Sequence, residues 1–334
     1  MNHPKHYGRY RKIAAIAFSF LWLIWLSGCG KSPEPAAGPE FPDAQYLTAR
    51  AGGPTETDAR RQALAELAGI FESRIISEFK SLSRSSVAGD QAEVFEREAE
   101  SKVRVGSDVI LQGARIGNVW KDEGDGSFHA LAVLNRNDAG RTWASEAALI
   151  DKEIRALNRS LETTRGNLSR LAALNRIIDL ASDRLVLESR MRVVGYPGPG
   201  SAGVDLGAMM TERQEILSGL KVMILVHGDQ GGWVRDIMAQ AFGEKGIGLA
   251  VDPARADARV LGIVDAEILT LKNATTRFAR AYGSIRVFEG ETLFVQFNED
   301  VRKGHMDENE ARHRAVEYVA NALSSRLLSA LGYE

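Results

Sequence analysis

Three stretches of this chain gather residue types that could do chemistry. The first is Cys29, the only cysteine among 334 residues, which stands in LWLIWLSGCG (21–30) where an apolar run stops. A single thiol can take one covalent attachment, and a chain with no second cysteine closes no internal disulfide. The second is ILVHGDQGGW (224–233), where a strand-like run ends in His227 and Gly228 with Gly231 and Gly232 just beyond. Such a turn can offer backbone N–H groups to an oxyanion. Acyl transfer then needs a serine on a Gly-x-Ser-x-Gly elbow, followed by an acid and a histidine. The sequence has no such elbow, Pro199 replaces the first glycine around Ser201, and only about 100 residues follow Trp233. The run therefore reads as a strand end feeding a helix, with Asp229 suited to the positive end of the helix dipole. The third is His305, Asp307, Glu308 and His313. After residue 28 the only other histidines are His129 and His227, and neither His-Glu-x-x-His nor paired-cysteine spacing occurs. Metal sites carry such spacing, so these four read as a solvated helix start. There is no Gly-x-x-x-x-Gly-Lys phosphate loop, and the carboxylates are scattered. The expectation is no catalytic residue, no metal and no soluble cofactor.

What surrounds Cys29 suggests its use. Residues 1–12 carry Lys5, Arg9, Arg11 and Lys12 and no acid, and Ile13–Leu26 is apolar except for Ser19. Fourteen residues fall short of the roughly 20 that span a bilayer as a helix. A basic start, a short apolar run and small residues are the layout of a secretory signal. Leu26, Ser27, Gly28 and Cys29 resemble the bacterial lipobox position by position. The resemblance implies cleavage after Gly28, diacylglycerol on the Cys29 sulfur and an N-acyl chain such as palmitate on the new terminus. Two or more acyl chains hold a protein stably on a membrane, where one does not. Gly30 follows, and in the usual sorting rule the absence of Asp there favours the outer membrane.

Loss of residues 1–28 would remove four basic residues and no acid, moving the formal charge from −2 to −6. Nucleic-acid binding would want a basic face, so no nucleic-acid partner is expected. Residues 29–44 hold four of nine prolines and read as a lipidated, semi-extended tether.

A first mixed domain is expected over 45–142. A short strand, Gln45–Ala51, is broken by Gly52, Gly53 and Pro54. Thr55 and Asp58 look like a capping box, and Ala63, Leu67, Ile70, Phe71 and Ile75 give one helix face. Residues 81–90 read as a polar loop and 91–104 as a weaker charged helix. Strands are expected over 109–122 and 128–136, joined by a hairpin at Glu123–Gly126. Tyr46, Leu47, Thr48 and Ala49, then Ala59, Ala63 and Leu67, then Trp120, Ala130, Leu131, Ala132, Leu134 and Arg136 resemble the Lpp-twenty lipoprotein family, which also covers flagellar assembly proteins P and T. The resemblance covers roughly 100 residues. It implies an envelope lipoprotein with an assembly or scaffolding role and brings no catalytic residue.

Residues 143–192 read as helical. Ile150, Ile154, Leu157, Leu161, Thr164, Leu168, Leu171, Asn175 and Ile178 follow a 4-3 spacing. That seam suits a coiled coil between copies through 150–178, or a helix pair broken at Arg165-Gly166-Asn167 and packed within the chain. Residues 193–215 read as a Gly/Pro-rich linker. A second domain over 216–334 is expected in the order β-α-β-β-β-β-α. Trp233, Ile237 and Phe242 would face inward from its first helix, and Ala315, Val319, Ala322, Leu323 and Leu327 from its last. This module is loosely similar to periplasmic assembly lipoproteins, the curli secretion lipoprotein among them. The fold class expected is α+β: two small mixed domains joined by a helical segment after a cleaved signal peptide. The expected role is a lipid-anchored, non-enzymatic scaffold or assembly factor at the periplasmic face of the outer membrane, with a protein partner in the envelope. The alternatives are a self-assembling export pore and a cell-envelope hydrolase.

Overall fold

Two stripes of apolar side chains account for most of the architecture. In this computed structural model, residues 40–87, 93, 95–97, 102, 113–200, 203–228, 230–269 and 276–333 are described. The fold is α+β. Cys29 and the rest of the lipobox lie outside the described residues, as do the strand positions expected at 109–112 and most of the helix expected at 91–104.

The first stripe belongs to α1 (Glu56–Ser86), where Ala59, Ala63, Leu67, Phe71, Ile75 and Phe79 recur every four residues and are buried. Thr55 begins the helix: its hydroxyl accepts from the Asp58 N–H at 3.2 Å and donates to the Asp58 carboxylate at 2.7 Å. The polar loop expected from residue 81 is corrected, because α1 continues to Ser86. Leu82 and Ser83 extend the buried stripe, and the Ser83 hydroxyl finds Glu96 at 2.8 Å. Under α1 lie β1 (Tyr46–Gly53), β2 (Ala114–Lys121) and β3 (Phe128–Asn135), all antiparallel in the order β1-β3-β2. A bulge at Gly117 bends β2, and a Cβ there would stand 2.9 Å from the Phe41 ring.

Asn135 ends β3 and caps α2 (Arg136–Thr163), accepting from the Asp138 N–H at 3.0 Å. The helical segment thus starts seven residues before the expected 143. Residues 164–166 turn the chain back into α3 (Asn167–Val193), which packs along α2. The linker expected over 193–215 is corrected in part: Leu206–Gly219 is a helix, α4. Asp205 caps it by accepting from the Ala208 N–H at 2.9 Å, and Leu206, Met209 and Met210 are buried.

The second stripe covers a five-stranded sheet. Its strands are β4 (Lys221–His227), β5 (Gly248–Leu249), β6 (Ala258–Leu269), β7 (Arg277–Glu289) and β8 (Thr292–His305), in the order β5-β4-β6-β7-β8. β4 runs parallel to β5 and β6, and β6-β7-β8 is an antiparallel meander. Alternate residues of β7, namely Ala279, Ala281, Ile285 and Val287, are buried, the period-2 mark of a sheet covered on one face. Helices α5 (Gly231–Glu244) and α6 (Glu308–Ala330) supply that cover. Val234, Met238 and Phe242 are the buried contacts of α5, while Trp233 and Ile237 are only half-buried. From α6, Ala315, Val319, Leu323 and Leu327 face inward as expected, and Ala322 is half-exposed.

The two apolar cores are not independent. Leu168 and Leu171, at the start of α3, belong to the second core, while Leu174, Ile177, Ile178, Leu185 and Met191 of the same helix belong to the first. Ala37–Glu334 forms one compact unit.

Candidate interaction surfaces

The described residues of the other two stretches singled out for chemistry are employed in the fold. Gly228 has φ +110°, and a Cβ on it would stand 1.8 Å from the Val264 carbonyl oxygen. Gly231 opens α5 where a Cβ would lie 2.3 Å from the Val226 carbonyl oxygen. Gly228 lets the strand end press against β6 and Gly231 lets the helix start press against the end of β4, which explains them without an oxyanion. His305 Nδ1 accepts from the Asp307 N–H at 3.1 Å, and Asp307 caps α6 through the Glu310 N–H at 2.9 Å. Glu308 pairs with Arg277 at 3.6 Å, and His313 stacks on Trp233 with ring centroids 3.9 Å apart. Among the described residues, no three His, Cys, Asp or Glu side chains gather as a metal-ligand set.

One serine–histidine contact bears on nucleophilic chemistry. Ser127 Oγ lies 3.0 Å from His129 Nε2 at the β2–β3 hairpin. The neighbouring acid, Asp125, accepts from the Ser127 N–H at 2.8 Å. Hydrogen bonds from Ser127, side chain first and backbone second, hold its carboxyl below the usual range. A triad needs its acid on the histidine, to orient the base. Here the acid sits on the serine instead, and the imidazole lies flat on Trp120.

The heptad seam is used within the chain. Ile154, Leu161, Leu168, Leu171, Asn175 and Ile178 are buried, and Ile150, Leu157 and Thr164 are half-buried. The seam breaks at Thr164–Gly166, where the helix hairpin turns, so these side chains pack on the two cores and on one another.

Four polar ties hold the hairpin. Glu289, at the end of β7, accepts from the Leu168 N–H at 2.6 Å, the Ser169 N–H at 3.3 Å and the Ser169 hydroxyl at 2.6 Å. It caps a helix whose own N-cap residue, Gly166, has no side chain to do so. Arg184 is buried and pairs with Asp151 at 2.7 Å and Glu188 at 2.6 Å; it also donates to the Pro199 and Gly200 carbonyls. Beside it, between α1, α3 and the Gly/Pro-rich strand of chain, lies a cavity of about 670 Å³. Lys102 donates to Asp179 and pairs with Asp183 at 2.9 Å, both on α3. Arg136, from the family-like run that ends β3, donates to the Asp43 and Tyr46 carbonyls at 2.9 and 3.2 Å and to the Val193 carbonyl at 3.3 Å. It pins the start of the body, where the tether would join, to the end of α3.

Among the described residues, the outer face of the second sheet stays exposed. The register sets Leu225 beside Leu261, His227 beside Ile263 beside Ser284, and Asp265 beside Tyr282 beside Asp300. Leu225, Ile263 and Tyr282 are 39%, 51% and 43% exposed. An apolar patch rimmed by charge is suited to protein contact rather than to chemistry. Among the described residues, no helix is long and apolar enough to cross a membrane.

Comparison with known proteins agrees with the amino-terminal reading. No curated protein matches the sequence. Similar solved structures include a secreted protein from Helicobacter pylori, at 13% identity and TM-score 0.41, covering 86% of this chain and 99% of that one. The rare lipoprotein B from Shewanella oneidensis matches at 15% identity and TM-score 0.25, covering 33% and 92%. Lipoprotein GNA1162 from Neisseria meningitidis matches at 10% identity and TM-score 0.23, covering 33% and 99%. Residues 33–135, under a third of the chain, match the family model of the LPP20 lipoprotein.

Proposed function

We propose that this protein is a lipid-anchored, non-enzymatic scaffold or assembly factor at the periplasmic face of the outer membrane, with another envelope protein as its partner. The observation that carries the reading is the lipoprotein-family match over 33–135, which begins four residues after the Cys29 lipobox. The Cys29 sulfur carries a diacylglycerol, cleavage after Gly28 frees the amino group that takes an N-acyl chain, and these are the only non-protein groups the function needs. The mature charge of −6 speaks against nucleic acid. The polar ties within the body, and the open apolar face of the second sheet, favour holding a partner over turning over a substrate.

Two measurements test it. Cys29→Ala protein should leave the outer-membrane fraction for the soluble periplasm, and the anchor idea fails if it stays. A photo-crosslinking residue at Ile263, in intact cells, should capture a defined structural component of the envelope. A chain that remains alone there, with its membrane fractionation unchanged, refutes the scaffold role.

A further inference from the structure

β8 is a 14-residue strand at the rim of the second sheet, paired only with β7 among the described strands. None of its residues is buried, although alternate positions of β7 are. Val295, Phe297 and Val301 face the α6 side and remain half-buried. A long strand edge presents unpaired N–H and C=O groups, and charges usually serve to discourage further pairing. The charges on β8 follow a different rule. Residues 299–303 read Glu-Asp-Val-Arg-Lys, acids before Val301 and bases after it.

We infer that β8 pairs antiparallel with β8 of a second copy of this chain, in the register that sets Val301 opposite Val301. In that register Asp300 faces Arg302 of the other copy, and Glu299 faces its Lys303. The twofold axis repeats both contacts, so four opposite-charge pairs form. Such an isologous interface requires a patch complementary to itself, and cross-strand pairs of opposite charge stabilise where like pairs oppose. The pleat also keeps the faces matched: Asp300 and Arg302 point to the open face, and Glu299 and Lys303 to the helical face. Neighbouring registers with the same facing centre on residue 300 or 302. They set Asp300 on Asp300, or Arg302 on Arg302, and are repelled.

The charges have partners at home that leave them able to bridge. Asp300 is bidentate with Arg280 at 3.0 and 2.5 Å, with lone pairs left over, and its side chain is 43% exposed. Arg302 lies over the Phe278 ring at 4.3 Å, a stacking that frees the guanidinium edge. Glu299 meets Arg326 at 3.3 Å, and Lys303 lies 3.9 Å over the Tyr318 ring. Space permits the pairing. Helix α6 lies over β7 and β8 alike, so the two α6 helices would stand two strand spacings apart, about 10 Å, an ordinary helix-packing distance.

The test is charge reversal, read by sedimentation equilibrium of the full lipidated chain in detergent. Wild-type chain should be dimeric. Asp300→Arg and Arg302→Asp should each weaken the dimer roughly tenfold, with circular dichroism unchanged. An equimolar mixture of the two variants should regain it, because each Arg then faces an Asp. The double swap Asp300→Arg/Arg302→Asp should also dimerise, and its Asp at 302 sits directly opposite Arg280, which preserves an ion pair within the chain. A wild-type monomer overturns the inference. So does a dimer indifferent to the reversals, since micelle sharing or another surface would ignore them, and so does a mixture no tighter than its components.

Discussion

The cap on α3 comes from a residue 121 positions away in sequence, and removing it should cost more than an ordinary helix cap. Glu289 makes three hydrogen bonds to the first turn of α3, two of them to backbone N–H groups that the N-cap residue, Gly166, has no side chain to satisfy. Hydrogen bonds to a charged group contribute about 1.5–3 kcal/mol, and a carboxylate at a helix N-terminus gains roughly 0.3–1 kcal/mol from the dipole. These effects overlap, so Glu289→Ala should destabilise by about 2–3 kcal/mol, and Glu289→Gln, which keeps an acceptor and loses the charge, by about 1 kcal/mol. Gly166 supplies the sharper test. A Cβ there would stand 2.0 Å from the Glu289 carboxyl carbon, although φ −82° and ψ 141° suit any residue. In wild-type background Gly166→Ala should therefore evict the carboxylate and cost about 2 kcal/mol. In the Glu289→Ala background the space is empty and the cap already gone. There Gly166→Ala should be neutral or stabilising by about 0.5 kcal/mol, through the less flexible unfolded chain. Gly166→Ser should recover about 1 kcal/mol there by capping locally. Urea unfolding followed by circular dichroism measures the cycle, and thermal shifts of roughly 2–4 °C per kcal/mol check it. If Gly166→Ala costs the same in both backgrounds, the two residues are uncoupled and the long-range cap is refuted.

Arg184→Met should destabilise by about 3–5 kcal/mol, because Asp151, with 7% of its side chain exposed, would be left as a buried unpaired charge. Asp151→Leu/Arg184→Met should cost far less, and both variants should be cut faster by protease near Pro199 and Gly200, whose carbonyls Arg184 holds. Equal cost for the single and double variants would show that the ion pair is not what matters. The Lys102 tie should respond to alkali. Burial pulls its pKa down, but hydrogen bonds and attraction from Asp179 and Asp183 outweigh it and leave the group above 10.5. A raised folded pKa means a contribution complete below the ordinary lysine value and lost as pH rises through the higher one. The stability gap between wild type and Lys102→Met should hold steady from pH 7 to about 10 and narrow above it; a gap constant to pH 12 contradicts the pairing.

How much of this was legible beforehand depends on how far apart the interacting residues lie. The second sheet could be read almost element by element, because β4 is a nearly unbroken apolar run and β7 alternates, and the structure buries Val222, Met223 and Ile224 of the one and every second residue through the middle of the other. Local caps were readable too: Thr55 was found, and Asp205 carried the same signal before α4 but was hidden by the glycines around it. Glu289 was not readable, since nothing near residue 166 or residue 289 announces the other. The same blindness affected the seam. Its 4-3 spacing is real, but spacing alone does not say whether a partner is another copy or the next element of the same chain. The structure buries six of these nine residues within the chain and leaves Ile150, Leu157 and Thr164 half-buried. It thereby moves the question of partners to the surfaces that remain open. The edge of β8 and the outer face of its sheet are two of these. Their patterns differ in kind: one is a charge order with a built-in twofold, the other an apolar patch with none. A surface that pairs with itself needs the first, and a surface that receives a different protein needs only the second. A scaffold made of such a dimer would present two apolar patches on one face of a continuous sheet, with both helical layers on the other.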